Sequence, residues 1–282
     1  MKSILEILKL STDYLKQKGV GSPRLQAEEI LSDVLEIKRL QLYMEFDRPL
    51  TECELDACRK RLLRRAQGEP IQYIRGEVEF LDCVIKVTRD VLIPRQETEI
   101  LADTISKELA KEELAGKTLW DVCCGSGCIG IGLKKRFPEL KVVLSDNSAQ
   151  ALKIAEENAK RNEVEVDLLQ GDLLQPFGVQ KAHFLVANPP YIAEEEFAGL
   201  DKEVRLYEPK QALVAGKSGL EFYERFVHEL PKHLFPLAKV WFEIGYNQAK
   251  ALYNLFKEGS WKNSRVGQDW AGRDRFFFLE IE

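Results

Sequence analysis

The chain has 282 residues, 45% of them hydrophobic and 31% charged, with a net charge of −5. That is globular composition, enough for one large domain or one with a small companion, and it offers no basic field of the kind that draws proteins to naked nucleic acid. The six cysteines (53, 58, 83, 123, 124 and 128) form no Cys-x-x-Cys pair and only three histidines accompany them, so neither a disulfide framework nor a metal site is expected, and a reduced cytoplasmic protein is the default.

Residues 1 to about 75 carry only helical periodicity. In MKSILEILKLSTDYLK, Ile4, Leu5, Ile7, Leu8 and Leu15 make one apolar stripe, while Glu6 and Lys9 interrupt the run. This predicts an amphipathic helix rather than a signal peptide, and no apolar run in the chain approaches membrane length. SPRLQAEEILSDVLEI places Ser22 as a helix N-cap and Pro23 at the first helical position. Thr51 with Glu54 three residues on is a capping box, and that helix is expected to stop at Gly68. The three helices predict a small bundle. The basic run Arg59, Lys60, Arg61, Arg64 and Arg65 reads as a solvated face, with a partner-facing patch as the alternative.

GEVEFLDCVIKVT has two short alternating segments about Leu81-Asp82, which predicts a β-hairpin, and a helix opens after Pro94. From residue 117 the pattern changes. The apolar runs TLWDVCC, KVVLSD, VDLLQGD, HFLVANPP and KVWFEIG alternate with helical stretches at 128–137, 148–162, 218–233 and 246–257. Unalternated strands separated by helices predict a doubly wound parallel sheet covered on both faces. RFFFLEIE is expected as a last strand at or near an edge.

Several strand ends carry residues suited to a nucleoside. Gly125-Ser126-Gly127 lies between the first strand and its helix, and with Gly130 spells G-x-G-x-x-G, a turn that lets backbone approach a ligand. Asp146 ends the next strand, nineteen residues beyond Gly127, where a carboxylate accepts ribose hydroxyls. Asp172 ends the third and could meet an adenine amino group. These residues alone leave the cofactor's identity open between a dinucleotide and S-adenosylmethionine.

The fourth strand delivers Asn188-Pro189-Pro190-Tyr191 to the same edge. The side-chain carbonyl of Asn188 and the main-chain carbonyl of Pro189 are two acceptors, stiffened by prolines that have no N–H of their own. Two convergent acceptors suit an NH₂ group, and Tyr191 offers a flat face to a planar group. An amide or aromatic amine is a poor nucleophile because its lone pair is delocalised. Acceptors oriented for a pyramidal nitrogen favour the transition state over the planar ground state, and holding the nitrogen in line with a sulfonium methyl adds proximity. The motif therefore points to methylation of an amine or amide, without a strong general base.

GEPIQYIRGEVEF, VLIPRQETE, DVCCGSGCIG, NPPYIAEEE, EVRLYEPKQALVAGKSGLEFY and FEIGYNQ together resemble the release-factor glutamine N5-methyltransferases (HemK/PrmC), within the class I S-adenosylmethionine-dependent methyltransferases. The similarity runs through nearly the whole chain. It implies an α/β fold, a seven-stranded doubly wound Rossmann-like sheet, with a helical substrate-recognition domain at 1–75, a β-hairpin linker at 76–95 and the methyltransferase domain at 96–282. It implies S-adenosylmethionine as methyl donor, S-adenosylhomocysteine as product, and no metal. The implied acceptor is the glutamine side chain in the Gly-Gly-Gln motif of a peptide-chain release factor, in the cytoplasm, without membrane or direct nucleic-acid binding and with a monomer sufficient.

Carried over by position, Asp121, Cys123, Cys124, Gly125, Ser126 and Gly127 form the cofactor loop, Asp146 takes the ribose, and Asp172 with Leu173 lies beside adenine. Asn188 touches cofactor and substrate, while Pro189, Pro190 and Tyr191 shape the glutamine pocket. Arg95, Glu97 and Glu99 fall in a family motif near the site. The chain departs from the family where Cys123 replaces the first glycine of the loop, a position expected to keep negative φ because a β-carbon disfavours φ > 0. Gln96 stands where proline is common, and Leu237-Ala238 replaces Gly-Gly. The rival readings are a glutamine methyltransferase of a ribosomal protein, an adenine N6 methyltransferase on nucleic acid, an NAD-dependent oxidoreductase, and a cofactor-binding regulator without activity.

Overall fold

The computed structural model describes residues 2–258 and 261–282. The chain divides into two compact units, Met1–Gly76 with Asp201–Tyr207, and Glu77–Leu200 with Glu208–Glu282.

The first unit is helical: α1 (Ile4–Gln17), α2 (Pro23–Leu35), α3 (Arg39–Met44), α4 (Glu52–Ala66) and α5 (Ile71–Arg75). Ser3 and Glu6 close a capping box on α1, and Ile4, Ile7, Leu8 and Leu15 turn inward, with Leu5 only half-buried. Thr51 and Glu54 form the expected box on α4. At α2 the expected cap is half right. Pro23 opens the helix, but Ser22 sits at φ 47° and its hydroxyl makes no capping bond, because a left-handed cap residue turns its side chain away from the first-turn amides. The basic run on α4 is not one surface. Arg64 forks onto Glu69 at 2.8 and 2.9 Å, and Arg65 is buried, donating to the carbonyl of Glu69 at 3.0 Å and to the side chains of Gln26 and Glu203.

The second unit opens with a hairpin, β1 (Glu77–Phe80) and β2 (Cys83–Lys86), turning at Leu81-Asp82 as the alternation predicts. There follow α6 (Gln96–Leu109), β3 (Thr118–Val122), α7 (Cys128–Arg136), β4 (Lys141–Asp146), α8 (Ala149–Arg161), β5 (Asp167–Gln170), β6 (Ala182–Ala187) and the two-residue β7 (Ile192–Ala193). The chain then contributes α9 (Lys202–Tyr207) to the first unit and returns with β8 (Val214–Gly216), α10 (Glu221–His233), β9 (Leu234–Glu243), α11 (Ala249–Leu255), β10 (Trp261–Gln268) and β11 (Asp274–Ile281).

Among the described residues the main sheet has seven strands in the order β10-β11-β9-β6-β3-β4-β5. Strands β9, β6, β3, β4 and β5 run parallel, while β11 is antiparallel to β9 and β10 antiparallel to β11. The strand expected near the edge is β11, one place inside the true edge strand β10. Sequence reading passes over β10 because WKNSRVGQ is polar and mostly exposed, as suits an edge. The core on one face stacks Trp120 on Phe177 at 3.7 Å between ring centroids, with Tyr223, Phe226 and Phe242 beyond. Connections leave β3 and β6 in opposite directions along the sheet, which opens a crevice at their carboxyl ends, where open α/β sheets bind ligands.

Candidate active site

The crevice is a cleft walled by the ends of β3, β4, β5 and β6 and by Asp90, Val91, Leu92 and Pro94. Cys123, Cys124, Gly125, Ser126, Asp146, Asp172, Leu173, Asn188 and Pro190 line it. Asp121, Gly127, Pro189 and Tyr191 stand behind that wall instead of in it.

The loop after β3 is hung on the next strand. The Cys124 amide donates to Ser145 O at 3.0 Å and the Gly125 amide to Asp146 Oδ2 at 2.9 Å. To make that turn Cys123 takes φ 60°, so the expected negative φ is wrong. The left-handed conformation that glycine adopts freely is retained with a β-carbon, held by the hydrogen bonds of the two amides that follow it. Asp121, fully buried, accepts from the Gly130 amide at 2.8 Å, while its Oδ1 has no partner among the described residues. A β-carbon on Gly130 would lie 2.3 Å from Leu144, so only glycine lets α7 approach this closely. Burial first, then the field of Asp146, pushes the Asp121 carboxyl up to about 7, against the Gly130 hydrogen bond.

Asp146 lies at the end of β4 with Oδ1 accepting from the Ser148 amide and Oδ2 from that of Gly125, both at 2.9 Å. Burial raises its carboxyl and these amides oppose the rise, leaving each oxygen further acceptor capacity on the cleft side of the loop. Beside it, Ser145 Oγ is buried without a partner among the described residues. Asp172 is committed to a two-pronged pair with Arg225 at 3.0 and 2.9 Å, an engagement that no local sequence signal announced.

At the end of β6, Ala187 is in register with Phe242 of β9, which sets Asn188 beside Glu243. Asn188 Nδ2 donates to Thr98 Oγ1 at 3.3 Å, and Thr98 Oγ1 donates to Glu243 Oε2 at 2.6 Å. Thr98 and Glu243 are both buried. Burial pushes the Glu243 carboxyl up to about 7, opposed by the Thr98 hydroxyl, by Arg275 and by Arg95, and reinforced by Glu97. Tyr191 packs its half-buried ring on the core, and its carbonyl accepts from Gln248 Nε2 at 2.9 Å. That same amide donates to Gly219 O and accepts from the Gly245 amide, so one side chain of FEIGYNQ clamps the exit from the Asn-Pro-Pro-Tyr turn.

Of the three residues of VLIPRQETE singled out, Arg95 pairs with buried Glu208, whose other oxygen accepts from the Ile93 amide at 3.3 Å. Glu99 instead accepts from the Leu81 amide in the hairpin turn at 2.6 Å. Glu97 is only half-buried. The hairpin is fastened by α8: Asn158 and Asn162 exchange hydrogen bonds with the backbone of Lys86 and Val84, and Asn158 also donates to Ser126 O at 2.9 Å. The residues missed by sequence reading are Thr98, Glu243, Gln248 and Arg225. The first three lie within quoted segments, but only the tertiary contacts bring them to Asn188 and Tyr191.

Two family models match: the PrmC N-terminal domain over residues 6–76 and the methyltransferase small domain over residues 96–206. The release factor glutamine methyltransferase of Chlamydia trachomatis serovar D is 44% identical over 278 residues, 98% of this chain and 93% of that protein. The one from Geobacter sulfurreducens is 39% identical over 273 residues, 97% of this chain and 95% of that protein. Among solved structures, the hMettl16 catalytic domain in complex with MAT2A 3′UTR hairpin 1 has a TM-score of 0.59 at 14% identity, covering 96% of this chain and 91% of that chain. The T. thermophilus 16S rRNA N2 G1207 methyltransferase in complex with AdoMet and guanosine has a TM-score of 0.52 at 13% identity, covering 73% of this chain and 50% of that chain. At these identities the solved structures speak for the fold alone.

Proposed function

The chain belongs to the release factor glutamine methyltransferase family, and from that membership we propose that it transfers a methyl group from S-adenosylmethionine to the N5 amide nitrogen of the glutamine in the Gly-Gly-Gln motif of a peptide-chain release factor. The observation that carries the reading is the arrival of Asn188 and Pro190, just past the end of β6, at the same cleft as the glycine-rich loop from the neighbouring β3.

The residues present fit the cofactor. Asp146 would take the ribose hydroxyls, Ser145 Oγ supplies a buried polar atom in need of a partner, and Leu173 and Ala151 offer apolar contact to a base. Asp146 puts a carboxylate on this end of the cleft, which suits a cofactor with a cationic sulfonium and ammonium and disfavours the diphosphate of a dinucleotide. S-adenosylmethionine supplies an electrophilic methyl on sulfur. Asn188 Oδ1 and the Pro189 carbonyl accept the two N–H groups of the substrate amide, hold its nitrogen towards the methyl, and favour the pyramidal geometry in which the lone pair is available. Pro190 and Tyr191 keep that turn rigid, with Gln248 behind Tyr191. The helical unit, matched by the PrmC N-terminal model, recognises the release factor. Among the described residues no helix is long and apolar enough to cross a membrane, and this reading places the enzyme in the cytoplasm as a monomer.

The test is a methylation assay with labelled S-adenosylmethionine and unmodified release factor, with mass spectrometry to locate the methyl. A ribosomal protein and a nucleic-acid oligomer run in parallel. One methyl on the Gly-Gly-Gln glutamine is expected; label on another acceptor would overturn the partner and keep the chemistry.

A further inference from the structure

We propose that Thr98 and Glu243 are positioning residues that set the rotation of the Asn188 amide, so that its carbonyl oxygen rather than its NH₂ group is presented to the substrate. The inference rests on the reading of Asn188 as the group that orients the substrate amide.

An asparagine amide is nearly symmetric in shape, and turning it about its last bond exchanges an acceptor for a pair of donors. A substrate NH₂ needs the acceptor, and the turned amide would meet it donor to donor. Nothing in Asn188 itself or in the prolines after it chooses between the two orientations. The choice is made two residues away. Ionised Glu243 is acceptor-only, so the single proton of the Thr98 hydroxyl must go to it, and the structure has this bond at 2.6 Å. With its proton committed, Thr98 Oγ1 can only accept from Asn188, which it does from Nδ2 at 3.3 Å. That places the amide nitrogen at Thr98 and turns the carbonyl oxygen away from it.

The three residues come from three elements, the end of β6, the end of β9 and the first turn of α6, so the relay exists only in the folded unit. Each link is held independently. Glu243 is anchored by strand pairing to Phe276, and its carbonyl accepts from the Tyr223 hydroxyl at 2.7 Å. Thr98 and Glu243 are 3% and 2% exposed, too little for water to substitute for either partner. A buried threonine at the edge of the cleft beside Asn188, with a buried glutamate behind it, has no packing role that valine and leucine would not fill better.

The experiment compares Thr98→Val, which keeps the shape and removes the hydroxyl, with Thr98→Ser, which keeps the hydroxyl, above the pH at which Glu243 ionises. Three quantities are read: single-turnover methylation of the release factor, cofactor Kd, and hydrogen exchange of the Asn188 side-chain NH₂ in protein with nitrogen-labelled asparagine, assigned by its loss in Asn188→Ala. Thr98→Val is expected to lower the methylation rate about 10²-fold, the cost of a misplaced orienting group, with cofactor Kd unchanged and the Asn188 NH₂ exchanging freely. Thr98→Ser is expected to restore both the rate and the slow exchange; should Thr98→Val fail to fold, Thr98→Ala takes its place. A wild-type rate in Thr98→Val, or a loss of rate matched by an equal loss of cofactor affinity in both variants, overturns the proposal. Wild-type protein that leaves the release factor unmethylated would overturn the function proposed above, and the exchange of the Asn188 NH₂ would still decide this inference: slow exchange that persists in Thr98→Val sinks it.

Discussion

Arg95 and Glu208 are 113 residues apart in sequence and joined side chain to side chain, with the Glu208 carboxylate almost wholly buried and its second oxygen accepting from the Ile93 amide. The bond ties the segment running into α6, whose Asp90, Val91, Leu92 and Pro94 wall the cleft, to Glu208, the first residue after α9. Two segments that the sequence shows only as separate similarities are thus one latch.

Removing the buried member should therefore loosen the wall. Glu208→Ala leaves the Ile93 amide and a partly exposed Arg95 without their acceptor, and is expected to cost about 2 kcal/mol in denaturant unfolding. Cofactor affinity should fall with it, since Val91, Leu92 and Pro94 line the cleft. An unfolding midpoint equal to wild type would show that the latch contributes nothing.

Binding and chemistry should separate at the two acceptors. Asp146→Ala removes a carboxylate from the end of β4 and is expected to raise cofactor Kd about 10- to 100-fold by isothermal titration. Asn188→Ala should leave Kd near wild type and lower the transfer rate about 10²- to 10³-fold. Equal losses of both quantities in Asn188→Ala would refute its substrate-orienting role.

The buried carboxyl of Asp121 predicts a pH dependence of stability. Its folded value, raised to about 7, lies above the ordinary 3.8, so the folded protein holds a proton that the unfolded chain releases. Stability is then fully present below about pH 4 and declines as pH rises towards 7. Asp121→Asn cannot titrate. Measured without added cofactor, its melting temperature relative to wild type should rise between those pH values and level off above them. A difference that stays constant with pH would remove the assignment.

Cys123 carries a β-carbon at φ 60°. A branched side chain tolerates this conformation least, so Cys123→Val is expected to lose about 2 kcal/mol and to weaken cofactor binding, while Cys123→Ala stays close to wild type. Equal stabilities for the two variants would mean that the loop relaxes out of the left-handed region.

Most of the architecture was legible in the chain itself. The capping box at Thr51, the hairpin at Leu81-Asp82 and the alternation of apolar runs with helical stretches are local signals, written within a few residues and little altered by packing. Asp146 at the end of β4 and Asn188 directly after β6 were legible for the same reason, since a polar residue closing an apolar run marks the rim of a sheet, whereas Asp172, expected to end the third strand, lies two residues beyond β5. Local patterns failed where partners are distant. The left-handed turn at Cys123 depends on amide bonds to β4, Ser22 caps nothing because its backbone is left-handed, and β10 hides in a polar edge sequence.

The amino-acid sequence by itself determined most of the helices and strands, the resemblance to the family, and several of the residues that line the cleft, among them Gly125, Asp146 and Asn188. The tertiary structure alone decided how those residues are held: Glu208 on Arg95, Arg225 on Asp172, Gln248 on Tyr191, and Thr98 with Glu243 beneath Asn188. The physical reason is that periodicity and caps act over one or two turns of chain. The orientation of a buried polar group is set by whichever donor or acceptor the fold brings within about 3 Å, at any separation in sequence.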